Sequence, residues 1–169
     1  MNDEERRILE YLQAQGAKQP PSAVVERVRG AMEELCAAAA AVPAARFAER
    51  PAVDEWSANE VMAHVLSAGA DFGGAIIRVL DGAPPGPGMR EALPADVPRR
   101  TADEWWSLLQ RDREPLFARV RSADPEARID RPIEHPFFGP LNWRETLLFM
   151  RLHDLDHAGQ LNKIAAALA

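Results

Sequence analysis

The sequence predicts an all-α protein: a four-helix bundle with long crossover connections, preceded by a short N-terminal helix. Three observations carry that reading. Apolar residues recur three and four apart through four long stretches, the spacing that lines one face of a helix. Three of those stretches open on a capping side chain followed three residues later by glutamate, the spacing of a capping box. The short apolar runs lack the alternation and paired turn signals of strands, so no segment is read as a strand.

The first core helix is expected from about Ser22 to Val42. Pro20 and Pro21 precede it, where a missing N–H is harmless, and Pro43 follows it; Val24, Val25, Val28, Met32 and Leu35 form its stripe. The second opens on Ser57 with Glu60. It carries Val61, Val65, Ala68, Phe72, Ala75, Ile76 and Val79 up to Asp81 and Gly82. The third opens on Thr101 with Glu104, its stripe being Trp105, Leu108, Leu109, Phe117 and Val120, with Pro115 expected to kink it. Trp105 and Trp106 are adjacent and cannot both face the core, which leaves one for a subunit interface. The fourth opens on Asn142 with Glu145 and carries Trp143, Leu147, Met150, Leu161 and Ile164. Asp3 to Gln15, with Ile8, Leu9, Tyr11 and Leu12, is expected to form a short extra helix. The division is thus an N-terminal appendage over 1–20 and a bundle domain over 21–169.

Two connections are long: Asp81 to Arg100, rich in proline and glycine, and Ala123 to Leu141, which contains HPFFGP. Their lengths favour at least one connection that crosses the end or side of the bundle. Loops of this length in a compact domain are usually functional or mobile.

A chain of 169 residues, 47% hydrophobic and 27% charged, is sized for one domain with one core. The net charge of −6 argues against nucleic acid as the main partner, since phosphate binding needs a basic surface. The one cysteine, Cys36, rules out an internal disulfide framework and reads as a small buried residue. The first residues carry charges where a secretion signal needs an apolar run, and no stretch reaches the ~18 consecutive apolar residues of a membrane span. The expected location is the cytoplasm, with neither membrane nor nucleic acid as partner.

Three of the four histidines fall where a metal centre in a bundle would want them. His153 and His157 are four apart and share a helix face, while His64 lies inside a second helix able to face them. Imidazole suits zinc, nickel, iron and copper, and three protein ligands with one position left open describe a catalytic site. Against this, interior histidines are commonly hydrogen-bonded core residues and HxxxH recurs by chance. Spacing alone leaves both readings open.

Longer motifs add a resemblance. WSANEVMAHVL (Trp56 to Leu66) and HPFFGPLNWRETLLFMRLHDLDHAGQL (His135 to Leu161) resemble the DinB/YfiT-like superfamily of metal-dependent enzymes. The carrying residues are Trp56, Ser57, Glu60 and His64; then His135, Pro136, Phe138 and Gly139; then His153, His157 and Gln160. The likeness covers the four core helices, nearly the whole chain after residue 20. It implies a bundle of non-simple connectivity, a divalent metal (zinc or nickel foremost) held by His64, His153 and His157, and a homodimer. Characterised relatives include transferases and isomerases that use a low-molecular-weight thiol such as mycothiol or bacillithiol, and hydrolase-like members that use water.

The expected function is therefore a divalent-metal-dependent enzyme whose three-histidine site activates a thiol or water, as a thiol-dependent S-transferase or a hydrolase. The alternative is a non-catalytic dimeric bundle held by a structural metal or a bare histidine cluster. No general base is assigned. Around the site, Glu60, Asp71, Asp154 and Asp156 are candidates to orient an imidazole, although a capping box explains Glu60 and solvation explains the last two as well. Gln160 either lines the pocket or bonds a neighbouring helix. His135 is a fourth ligand or mobile acid/base if it is not structural, and Phe137 and Phe138 are either a lid or loop anchors.

Overall fold

A computed structural model describes residues 1–89 and 92–169. Its elements run α1 (Asp3–Lys18), α2 (Pro21–Ala41), α3 (Ala58–Leu80), α4 (Ala102–Arg121), β1 (Ile133–His135), β2 (Gly139–Leu141) and α5 (Trp143–Ala167), with one 3-10 turn at Ala44–Arg46. The all-α bundle expected from the sequence is the fold observed.

The helix starts follow from local chemistry. Asn2, Ser57, Thr101 and Asn142 each accept a hydrogen bond from the backbone of the glutamate three residues on, and that glutamate accepts one in return. Each box satisfies two backbone donors left over at the start of a helix, and losing such a cap typically costs about 1 kcal/mol. α2 has no such cap and opens on Pro21 instead, one residue ahead of expectation. α1 runs to Lys18, a turn past Gln15. Pro115 lies inside α4 without ending it.

The hairpin β1–β2 departs from the strand-free reading. Ile133 pairs with Leu141, Glu134 with Pro140 and His135 with Gly139, antiparallel. Strands of three residues are too short to show a period of two, which is why the pattern was silent. Gly139 turns the hairpin at φ +70°, a conformation that favours glycine.

Contacts at the helix ends fix the topology. α2 packs on α4 and α5, and α3 also packs on α4 and α5, so α2 faces α3 and α4 faces α5 across the two diagonals. Trp105 near the start of α4 bonds Asn59 at the start of α3, while Arg119 near the end of α4 bonds the Leu80 carbonyl at the end of α3. α3 and α4 are therefore parallel, and the connection between them must run back along the side of the bundle. Asn59 holds its far end: its Oδ1 accepts from the Trp105 indole N–H at 2.9 Å and the Arg100 amide at 3.0 Å, and its Nδ2 donates to the Pro98 carbonyl at 3.0 Å. Positions 90 and 91 of that connection lie outside the described residues. The other long connection crosses the bundle end to α5, pinned where the Trp143 indole donates to the Ala127 carbonyl at 2.7 Å. Both long loops thus do what their length implied.

α1, read from the sequence as an appendage, lies packed along α5. Leu12 is fully buried, Gly16 sits where a Cβ would come within 3.1 Å of Glu145, and Arg144 donates to the Ala17 and Gln19 carbonyls at the end of α1. The shared core is built on Leu35, Phe117, Trp143, Leu147 and Leu148. By length and mean hydropathy α3 could cross a bilayer, although polar residues interrupt its apolar run, and 61% of that window is buried inside the protein, as befits a core helix. Trp105 is buried and Trp106 half-buried. Cys36 is half-buried rather than buried, and burial followed by the nearby Asp103 charge pushes its thiol pKa up, which favours the protonated thiol.

Asn59→Ala is expected to cost about 1–3 kcal/mol, because it strands the buried Trp105 N–H. Chemical denaturation followed by tryptophan fluorescence measures it; an unchanged midpoint would remove Asn59 from this account.

Candidate metal centre

α3 and α5 pack side by side, and that contact places the three histidines. His64 is the seventh residue of α3, and His153 and His157 occupy successive turns of one face of α5. All three are buried. The Nε2 of His153 lies 3.2 Å from the Nε2 of His64 and 3.2 Å from the Nε2 of His157, and the three side chains offer ligand atoms within 4.8 Å of one another.

Two of the three are held uncharged at neutral pH, His64 and His153. Burial, then the neighbouring His157, pushes the His64 pKa down to about 4. Burial pushes that of His153 well below its ordinary value, with His157, His64, Arg113 and His135 adding to the effect. The tautomer of His157 is set locally: its Nδ1 faces the Gln160 side-chain oxygen at 2.8 Å. That oxygen can only accept, so Nδ1 carries the proton and the Nε2 lone pair turns toward His153. His64 has no such partner, its Nδ1 being buried and unbonded, and the Trp56 ring packs beside it at 5.0 Å between centroids.

Ring nitrogens facing at 3.2 Å are held together either by a proton shared between two rings or by a cation that takes all three lone pairs. Nitrogens 2.0–2.1 Å from a tetrahedral ion are separated by about 3.3–3.4 Å, so the observed spacing fits a small divalent cation with little movement. The centre is not sealed. His64, His153 and His157 line a cleft of about 610 Å³, walled by Trp56, Phe137, Phe138, Phe149 and Leu152 and closed on one side by Asn2, Glu4, Glu5 and Ile8 from the start of α1.

A sequence profile of the DinB superfamily matches residues 5–161, from the first turn of α1 almost to the end of α5. The chain belongs to the DinB superfamily. Its fold also resembles a crystal structure described as TT2238, a four-helix bundle protein, with a TM-score of 0.63 and 22% identity over 85% of this chain and 98% of that one. Identity at that level shows the fold alone. No curated protein matches the sequence.

Around the histidines of this DinB-superfamily chain, the other candidates separate by what they touch. Gln160 bonds His157, as described. Glu60 is committed to the α3 capping box and to an ion pair with Arg50, so it does not orient His64. Asp71 is exposed and borders a different, small cleft beside Pro85 and Glu134. Asp156 is exposed at the edge of the histidine cleft. Asp154 is fully buried but turns to the Arg113 guanidinium, which it meets at 2.9 and 3.1 Å.

His135 is 5% exposed and lies apart from the cluster. Its ring stacks on Phe138 at 4.6 Å and meets Phe149 edge-on at 4.4 Å, while Phe149 and Phe72 themselves lie against His153. Its Nδ1 accepts from the Phe137 amide at 3.2 Å, which organises the hairpin turn and carries Phe137 and Phe138 to the cleft wall. The fourth-ligand expectation therefore gives way to a structural one. Phe138 is buried as an anchor and Phe137 stays 46% exposed.

Two features escaped the sequence reading. The wall supplied by α1 has no local signature, because it depends on how α1 docks. The Arg113–Asp154 pair did have one: each charge interrupts an apolar stripe, Arg113 four residues after Leu109 and Asp154 four after Met150.

Burial pushes the His135 pKa down from 6.5 to about 4. On acidification the unfolded chain takes up this proton first, so the stability from a neutral His135 is complete above about pH 6.5 and is lost between there and pH 4. His135→Phe should remove up to about 3 kcal/mol of the fall across that window. Urea midpoints measured at several pH values test this, and identical pH slopes for the two proteins would contradict it.

Proposed function

We propose that this protein is a divalent-metal-dependent enzyme in which His64, His153 and His157 hold the ion and the adjoining cleft receives the substrate. The observation that carries the reading is the meeting of three imidazole nitrogens at the wall of an open cleft, those of His64 and His157 each 3.2 Å from that of His153. Borderline nitrogen donors favour zinc or nickel.

A divalent ion at this point supplies Lewis acidity, lowering the pKa of a thiol or water that takes its remaining position. The chain itself contributes the rest. Gln160 keeps the His157 lone pair directed at the centre. The aromatic wall of Trp56, Phe137, Phe138 and Phe149 excludes water and gives an electrophile an apolar surface to lie on. No carboxylate or further histidine bonds the triad among the described residues, so the imidazoles act as ligands and not as bases.

That division suits a nucleophile that arrives with its own acidic proton. Within the reaction classes of the superfamily it favours transfer to a low-molecular-weight thiol over hydrolysis. A homodimer is part of the same proposal and rests on the family alone. The non-catalytic alternative needs a closed centre, and the open cleft weighs against it.

Protein purified without a metal-affinity tag should carry about one zinc or nickel ion per chain by elemental analysis. His157→Ala should lose it, and Gln160→Ala should bind it about 10–100-fold more weakly. Equal metal content in wild type and His157→Ala would overturn the proposal. Turnover of aromatic electrophiles should require both the ion and an added thiol; turnover without thiol would select the hydrolase branch.

A further inference from the structure

Arg113 and Asp154 are the most deeply buried charges among the described residues, 1% and 0% exposed. Their two-pronged contact joins α4 to α5, helices that face each other across a diagonal, so the guanidinium spans the middle of the bundle. It also lies against α3. A Cβ on Gly69 would come within 2.8 Å of its Nη2, so the absence of a side chain there makes its seat. One planar group therefore touches the three helices that build and flank the histidine centre.

Stability does not account for it. A buried ion pair is often matched or bettered by apolar residues of similar volume. This one also leaves the Arg113 Nε buried and unbonded. Geometry accounts for it better. Asp154 is the residue after His153, and neighbouring residues on a helix point about 100° apart. Fixing the direction of Asp154 thus fixes that of His153 and, one turn on, of His157. A planar fork accepts a carboxylate in one orientation, which an apolar contact or a lysine does not impose.

We infer that the Arg113–Asp154 pair, seated on Gly69, is a positioning element of the histidine centre, locking the rotation of α5 so that His153 and His157 face His64. The inference rests on the metal reading above. Neither residue touches the facing imidazole nitrogens; both act through the helix that carries them.

The test uses Co(II) as probe, with affinity from competition against a chromophoric chelator and site geometry from the visible d–d spectrum. Arg113→Met/Asp154→Leu should unfold at or above the wild-type temperature, yet bind Co(II) at least about tenfold more weakly with an altered spectrum. Arg113→Lys, which keeps the charge without the fork, should show the same loss. Wild-type affinity and spectrum in a folded double variant would overturn the inference and leave the pair merely structural. If the double variant fails to fold, Gly69→Ala displaces the guanidinium while keeping both charges; it should show the same weakening, and unchanged Co(II) binding there would overturn the inference equally. A wild-type chain that takes up no Co(II) would defeat the metal reading itself, an outcome distinct from these.

Discussion

The packing of α3 against α5 is the contact on which the rest of this structure depends. It brings one imidazole from the first helix onto a face where the second presents two; it buries all three, and burial holds His64 and His153 unprotonated at neutral pH. Uncharged His64 and His153 can offer lone pairs to a cation, and the 3.2 Å spacing of the facing nitrogens suits one. A protein that wanted only a core would have filled this space with leucine at lower cost. The proposed metal role answers that cost.

The surrounding architecture serves the same contact. Parallel α3 and α4 require a connection along the side of the bundle, and Asn59 clamps its end to both helices. The second crossover delivers α5 into the bundle and carries the hairpin whose turn lines the cleft. α1 closes the cleft from outside, tied to α5 at its far end by Arg144. Elements distant in sequence thus meet around one opening, and the family match, which begins at residue 5, takes in α1 as well as the bundle.

Much of this was legible in the sequence. Capping boxes at Ser57, Thr101 and Asn142 marked their helix starts to the residue, because the signal is local and geometrically demanding. The triad was legible because two of its members share a helix face and the motifs around Trp56 and Gln160 supplied the rest. What stayed hidden depends on tertiary placement. The hairpin is too short to show periodicity, and the cleft wall from α1 arises only when Leu12 and Gly16 dock on α5. Asp154 and His135 were read as possible partners of the centre, yet each is engaged elsewhere, by Arg113 and by the hairpin turn. A charge interrupting an apolar stripe was the overlooked clue to Arg113 and Asp154.

X-ray absorption at the metal K-edge, on protein loaded with one equivalent of zinc or nickel, tests the central claim most directly. The account predicts a first shell containing three imidazole nitrogens at about 2.0–2.1 Å with the outer-ring scattering of histidine, plus at least one lighter, exchangeable ligand that sulfur replaces when a thiol is added. A shell with fewer than three imidazoles, or one already closed by four protein ligands and unchanged by thiol, would contradict it.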